Sequence, residues 1–155
     1  MAIIAAGTPV PPITLKREDG ADFTQEDLKG RTTVLVFYPF AFSPVCTDQL
    51  QVYEELGSEL AGQNAVMYAV STDASFSQIA FREKLGVTIE QLSDFEPKGE
   101  ASKALGAYFE PAGMTNRALV VVNADGIVAW SHLADSPGEL PGVDKVREGL
   151  AAVAG

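Results

Sequence analysis

The stretch "TTVLVFYPFAFSPVCTDQL", residues 32–50, decides the fold. Its first half, 32–38, is an unbroken β-branched and aromatic run, the pattern of a strand buried on both faces. Pro39 ends that strand. From Pro44 to about Ala61 the apolar residues Val45, Leu50, Tyr53, Leu56 and Leu60 recur at helical spacing, and Gly62 follows. Pro44 suits the first helical position, where its fixed φ and missing N–H cost nothing. Ser43 is then the natural N-cap. Cys46, the single cysteine of the chain, falls in the first turn, where unpaired N–H groups and the helix dipole favour negative charge.

Outward from this strand–turn–helix, "ITLKREDGADFT" (13–24) reads as a hairpin around Asp19-Gly20. "AVMYAVS" (65–71) is a second buried strand. Residues 74–85 read as a helix closed by Gly86, and 100–106 as a short helix. "ALVVV" (118–122), the turn "NADG" and "IVAWS" (127–131) form a hairpin. Residues 142–154 make a closing helix. The order is β-hairpin, β, α, β, α, short α, β-hairpin, α. That order predicts an α/β, thioredoxin-like fold: a mixed central sheet with helices on both faces and an N-terminal β-hairpin. No linker or repeat divides residues 1–155, so one domain is expected.

Of the 155 residues, 46% are hydrophobic, enough for a packed core. The formal charge of −10 argues against nucleic acid or an anionic membrane as partner, since both select cationic surface. No apolar run reaches the roughly 20 residues that span a bilayer. "MAIIAAGTPVPP" has no basic n-region and too short an apolar stretch for a signal peptide, so a cytoplasmic protein is expected. One cysteine rules out an internal disulfide, and one cysteine with one histidine makes a structural zinc site a poor fit.

The chemistry rests on Cys46. A thiol at a helix N-terminus is held toward its thiolate, and the thiolate is the nucleophile. A buried, inert cysteine is the alternative, and the strand–Pro–turn–Ser-Pro-x-Cys–helix context weighs against it. "YPFAFSPVC" (38–46) resembles the peroxiredoxin signature proline-x-x-x-threonine/serine-x-x-cysteine. "GTPVPPITL", "LSDFEPKGEASKALGAYFE" and "TNRALVVVNADGIV" extend the likeness over nearly the whole chain. Within that family the sequence is most similar to the one-cysteine alkyl hydroperoxide reductase E type of actinobacteria.

The resemblance implies that Cys46 attacks a peroxide oxygen and becomes a sulfenic acid. It gives Ser43 a hydrogen bond to the thiolate and peroxide, Arg117 support of the thiolate and of developing charge, and Pro39 the shielding of the sulfur. Val45 and Cys46 N–H groups would complete the substrate site, with Phe42 beside it. Hydrogen peroxide and organic hydroperoxides are the implied substrates, with peroxynitrite a further candidate. No metal, haem or flavin is implied. Fixed donors at the breaking O–O bond lower its barrier, and a guanidinium favours thiolate over thiol, so general chemistry gives the same roles.

Gln49 stands where many relatives carry a glutamate bracing the arginine, which leaves open whether its amide oxygen substitutes. Without a second cysteine, turnover requires an external thiol: a low-molecular-weight thiol or a mycoredoxin- or thioredoxin-like protein. His132 reads as a partly exposed structural residue and Trp130 as packing. The acidic pairs Glu54/Glu55 and Asp94/Glu96 read as solvated faces. Two rivals remain: a redox sensor in which Cys46 oxidation signals to a partner, and a thioredoxin-like structural protein. The absence of C-x-x-C disfavours a disulfide oxidoreductase. Finally, Phe40, Phe42, Phe76 and Phe95 lie off any core stripe, and grouped exposed aromatics mark interfaces. A homodimer with Phe42, Phe76 and Phe95 at or beside the contact is expected.

Overall fold

The structure, a computed structural model, describes residues 2–154. Nine strands form in it: β1 (Thr14–Lys16), β2 (Asp22–Thr24), β3 (Thr32–Phe37), β4 (Ala65–Ser71), β5 (Glu90–Ser93), β6 (Tyr108–Phe109), β7 (Met114–Thr115), β8 (Ala118–Val122) and β9 (Val128–Leu133). The five α-helices are α1 (Pro44–Glu54), α2 (Gly57–Gly62), α3 (Ser75–Leu85), α4 (Glu100–Ala104) and α5 (Val143–Ala154). Seven strands make one sheet in the order β2-β1-β5-β4-β3-β8-β9, with β3, β4 and β5 parallel to one another and the other pairings antiparallel. The expected mixed, thioredoxin-like sheet is therefore present, with the N-terminal hairpin at one edge.

The alternation of β3 shows why its sequence is apolar without a break. Leu35 and Phe37 enter one core with Leu15, Phe23, Val70, Ala101 and Val120. Val34 and Val36 enter the other with Leu50, Tyr53, Phe81, Leu119 and Val146. A period of two puts successive side chains on opposite faces, and both faces are covered. The second core is roofed by α1, α2, α3 and α5, whereas α4 and the hairpin cover the first. Cys46 belongs to the second core.

Three expectations need correction. The helix expected from Pro44 to about Ala61 is two helices, interrupted at Glu55 and Leu56. Leu56 and Leu60 stay buried in the same core, so the apolar spacing survives the break. Gly57, a poor helix former, follows the interruption. The strand β5 carries no apolar alternation in "EQLS" and was not expected. Its polar residues are buried because they pair: Gln91 Oε1 accepts from Tyr38 Oη at 2.7 Å, and Ser93 Oγ donates to the Asp73 carbonyl at 2.6 Å. Asp94 is not on a solvated face. It is buried and accepts the Ala101 and Ser102 N–H groups at 3.1 and 2.8 Å, capping α4. Burial pushes its carboxyl above the usual range, against the pull of those N–H bonds. Glu54, likewise, accepts from the Thr88 N–H and hydroxyl at 2.9 and 2.8 Å, tying α1 to the segment before β5.

Candidate active site

Strand pairing explains how two distant parts of the chain meet. Phe37, the last residue of β3, lies opposite Ala118, the first of β8. Tyr38 and Arg117 therefore emerge side by side at the same end of the sheet. Thr115 Oγ1 donates to the Tyr38 carbonyl there, and the Ala134 N–H donates to the Arg117 carbonyl at 2.9 Å. From Tyr38 the chain makes the turn 39–43 and enters α1 with Ser43 as N-cap and Pro44 at its start. The turn is strained at one point: Phe42 has φ +70°, which is rare for a non-glycine residue.

Cys46 is wholly buried. Burial alone would suit the inert reading, but the surroundings do not. The Arg117 guanidinium, 2% exposed, donates from Nη2 to Cys46 Sγ at 3.2 Å. Its Nη1 donates to Gln49 Oε1 at 2.5 Å and its Nε to the Pro137 carbonyl at 2.8 Å. Of these three acceptors only the sulfur can become an anion. Gln49, also fully buried, does supply its amide oxygen to the arginine. Its Nε2 donates to Tyr53 Oη at 3.4 Å, and that hydroxyl donates to the Pro141 carbonyl at 2.5 Å. Burial pushes the Tyr53 hydroxyl up to about 12, with Gln49 and Arg117 opposing, so it remains a donor at neutral pH. Arg117 and α1 are in this way bound to the 137–141 loop, a connection with no signature in the sequence.

The remaining expected residues divide. Pro39 is buried beside the end of β3, and Val45 is half-buried in the first turn of α1. The N–H groups of Val45 and Cys46 meet no acceptor among the described residues, as helix geometry requires of a first turn. Ser43 departs from expectation: its buried hydroxyl oxygen has no hydrogen-bonding partner, neither Cys46 Sγ nor a helical N–H. Phe42 is half-exposed, with its ring 5.2 Å from that of Phe81 on α3. Phe76 and Phe95, 87% and 54% exposed, flank one apolar hollow of about 330 Å³, and Phe42 does not line it. His132 is half-buried and stacked on Trp130, as a structural residue would be. Among the described residues no group of three or more His, Cys, Asp or Glu side chains could hold a metal ion, and no helix is long and apolar enough to cross a membrane.

The arrangement is a buried thiol in the first turn of a helix, a buried guanidinium donating to it, and unpaired N–H donors around it. Comparison with known proteins agrees. Over 152 residues the chain is 28% identical to alkyl hydroperoxide reductase E of Mycobacterium tuberculosis, covering 97% of this chain and 99% of that protein. Over 128 residues it is 31% identical to alkyl hydroperoxide reductase C of Amphibacillus xylanus, covering 79% of this chain and 68% of the other. The crystal structure of Enterococcus faecalis AhpC shares the fold, with a TM-score of 0.85 at 23% identity over 95% of this chain and 90% of that one. Residues 6–131 match the AhpC/TSA family, and to that family of peroxiredoxins this chain belongs.

Proposed function

We propose that Cys46 is the nucleophile with which this chain, a peroxide-reducing thiol peroxidase, attacks hydroperoxides. The observation that carries the assignment is the 3.2 Å contact between Arg117 Nη2 and Cys46 Sγ at the start of α1. A buried guanidinium is costly without a counter-charge, and a thiolate supplies it. The thiolate lone pair attacks one peroxide oxygen. The S–O bond forms as the O–O bond breaks, and the departing oxygen takes up a proton to leave as water or alcohol. Cys46 is oxidised to a sulfenic acid. Arg117 spans the sulfur and the developing charge, and the free N–H groups of Val45 and Cys46 receive the peroxide. The Ser43 hydroxyl, without another partner, is available to donate once peroxide arrives. Pro39 and Phe42 wall the turn. Because Cys46 is buried, the 39–45 segment must yield for substrate to enter.

The cycle closes with an external thiol. It condenses with the sulfenic acid to a mixed disulfide, releasing water, and further thiol frees Cys46. With no second cysteine in the chain, excess peroxide should instead drive Cys46 to sulfinic and then sulfonic acid. Mass spectrometry after a peroxide titration is expected to show these species in succession. A predominant Cys46–Cys46 interchain disulfide would refute this step. The alternative, a sensor that passes oxidation to a partner, lacks a supporting feature of its own and predicts no steady turnover with added thiols.

We read residues 1–155 as one domain, and the protein as cytoplasmic, where a lone unpaired thiol stays reduced. We also read it as a homodimer. Support comes from the exposure of Phe76 and Phe95 around their shared hollow and of Phe42 on the active-site turn. Light scattering is expected to give a dimer at micromolar concentration. Phe76→Glu should shift it to monomer, with Phe42→Glu acting in the same direction. A monomeric parent with full activity would defeat this reading.

A further inference from the structure

The turn that carries the cysteine is held at a point outside the site described so far. From Pro39 to Ser43 its N–H groups make two bonds among the described residues. One is local and long, Ser43 N–H to the Phe40 carbonyl at 3.4 Å. The other leaves the turn: the Ala41 N–H donates to Asp73 Oδ2 at 2.8 Å. Ala41 immediately precedes Phe42, whose φ of +70° costs energy and persists only where its surroundings hold it.

Asp73 is itself fixed. Its Oδ2 accepts the Ser71 hydroxyl at 2.7 Å, and its carbonyl accepts Ser93 Oγ at 2.6 Å. Ser71 Oγ accepts in turn from Gln78 Nε2 at 2.9 Å, and the same amide donates to the Leu92 carbonyl at 2.9 Å. Ser71 and Gln78 are fully buried. This polar chain runs from the end of β4 across α3 and β5, and it reaches the 39–43 turn through the Ala41 N–H.

A negative charge on this side of the turn does nothing to favour a thiolate, whereas the bond to Ala41 supplies a reason for an acceptor here. We infer that Asp73 is a positioning residue for the peroxidase reaction: it holds the 39–43 turn, and with it the strained Phe42 and the start of α1, in the geometry that presents Cys46 to peroxide. The inference rests on Cys46 being the nucleophile.

The test compares Asp73→Ala with Asp73→Asn. Asparagine keeps an acceptor oxygen for the Ala41 N–H and removes the charge. Stopped-flow oxidation by hydrogen peroxide is expected to slow about 10²-fold in Asp73→Ala, the scale of a misplaced reacting group, and to return to within a few-fold of the parent in Asp73→Asn. Amide hydrogen exchange should rise in Asp73→Ala over 39–47 and stay at the parent level in β8 and α5. If the alanine variant does not fold, Asp73→Ser, too short to reach Ala41, replaces it. Parental rates in a folded Asp73→Ala, or equal losses in the alanine and asparagine variants, would overturn the inference. A parent that fails to react with peroxide would instead remove the reading beneath it.

Discussion

Cys46→Ser is expected to abolish peroxide consumption while leaving the domain folded. The swap changes little volume in a core where one misplaced methylene is felt. The serine hydroxyl would be buried, but Arg117 Nη2, which now donates to Sγ at 3.2 Å, can donate to it. The cost of an orphaned polar group, about 1–3 kcal/mol, is thereby avoided, and the stability lost is that of the buried guanidinium without its counter-charge, read as a lower unfolding temperature of a still folded variant. What is lost is the thiolate. A neutral hydroxyl beside the same guanidinium has no comparable nucleophile to offer, so residual turnover should lie at background. A steady-state assay with excess peroxide and a small thiol, run beside thermal unfolding of both proteins, checks this. Activity above a few per cent of the parent in a folded variant would sink the assignment of Cys46.

Arg117→Ala is the second large effect. On the proposed mechanism the side chain does two things at once: it faces the sulfur with a positive charge, and it places a donor where charge would appear as the O–O bond breaks. Removing one preorganised donor costs about 10²–10³-fold in rate, and that is the expected loss in the rate of Cys46 oxidation. Stability should fall as well, because Gln49 Oε1 and the Pro137 carbonyl lose their donor, each orphan costing about 1–3 kcal/mol where it stays dry. The pH dependence separates the roles. Oxidation measured at alkaline pH, with the thiol ionised unaided, should remain slow in the variant. Recovery of the parent rate there would reduce Arg117 to a tuner of ionisation.

How much of this was legible in the sequence differs residue by residue. The β3–turn–α1 unit could be read because its signals are local: a β-branched run, a proline that ends it, and a second proline fitted to a first helical turn. Arg117 could be matched only through family resemblance, since its approach to Cys46 depends on the Phe37–Ala118 register, which periodicity does not encode. Gln49 stands out as a departure from the family pattern, yet its partners, Tyr53 and Arg117, lie one turn on along the same helix and just before a distant strand. The strand β5 was illegible because burial of Gln91 and Ser93 is made acceptable by hydrogen bonds to distant groups rather than by apolarity. Asp94 misled for the same reason: an aspartate beside a glutamate looks solvated until the helix it caps is in place. Asp73 gives no sign at all, because its meaning lies in one N–H thirty-two residues away.

The most direct test of the central claim is chemical trapping at stoichiometric peroxide. The reduced protein is mixed with one equivalent of hydrogen peroxide in the presence of dimedone, and the intact mass and peptide map are recorded. The account predicts consumption of the peroxide and a single dimedone adduct on Cys46, the mark of its sulfenic acid. A Cys46 thiol that remains free and alkylatable after the peroxide has been offered would contradict it.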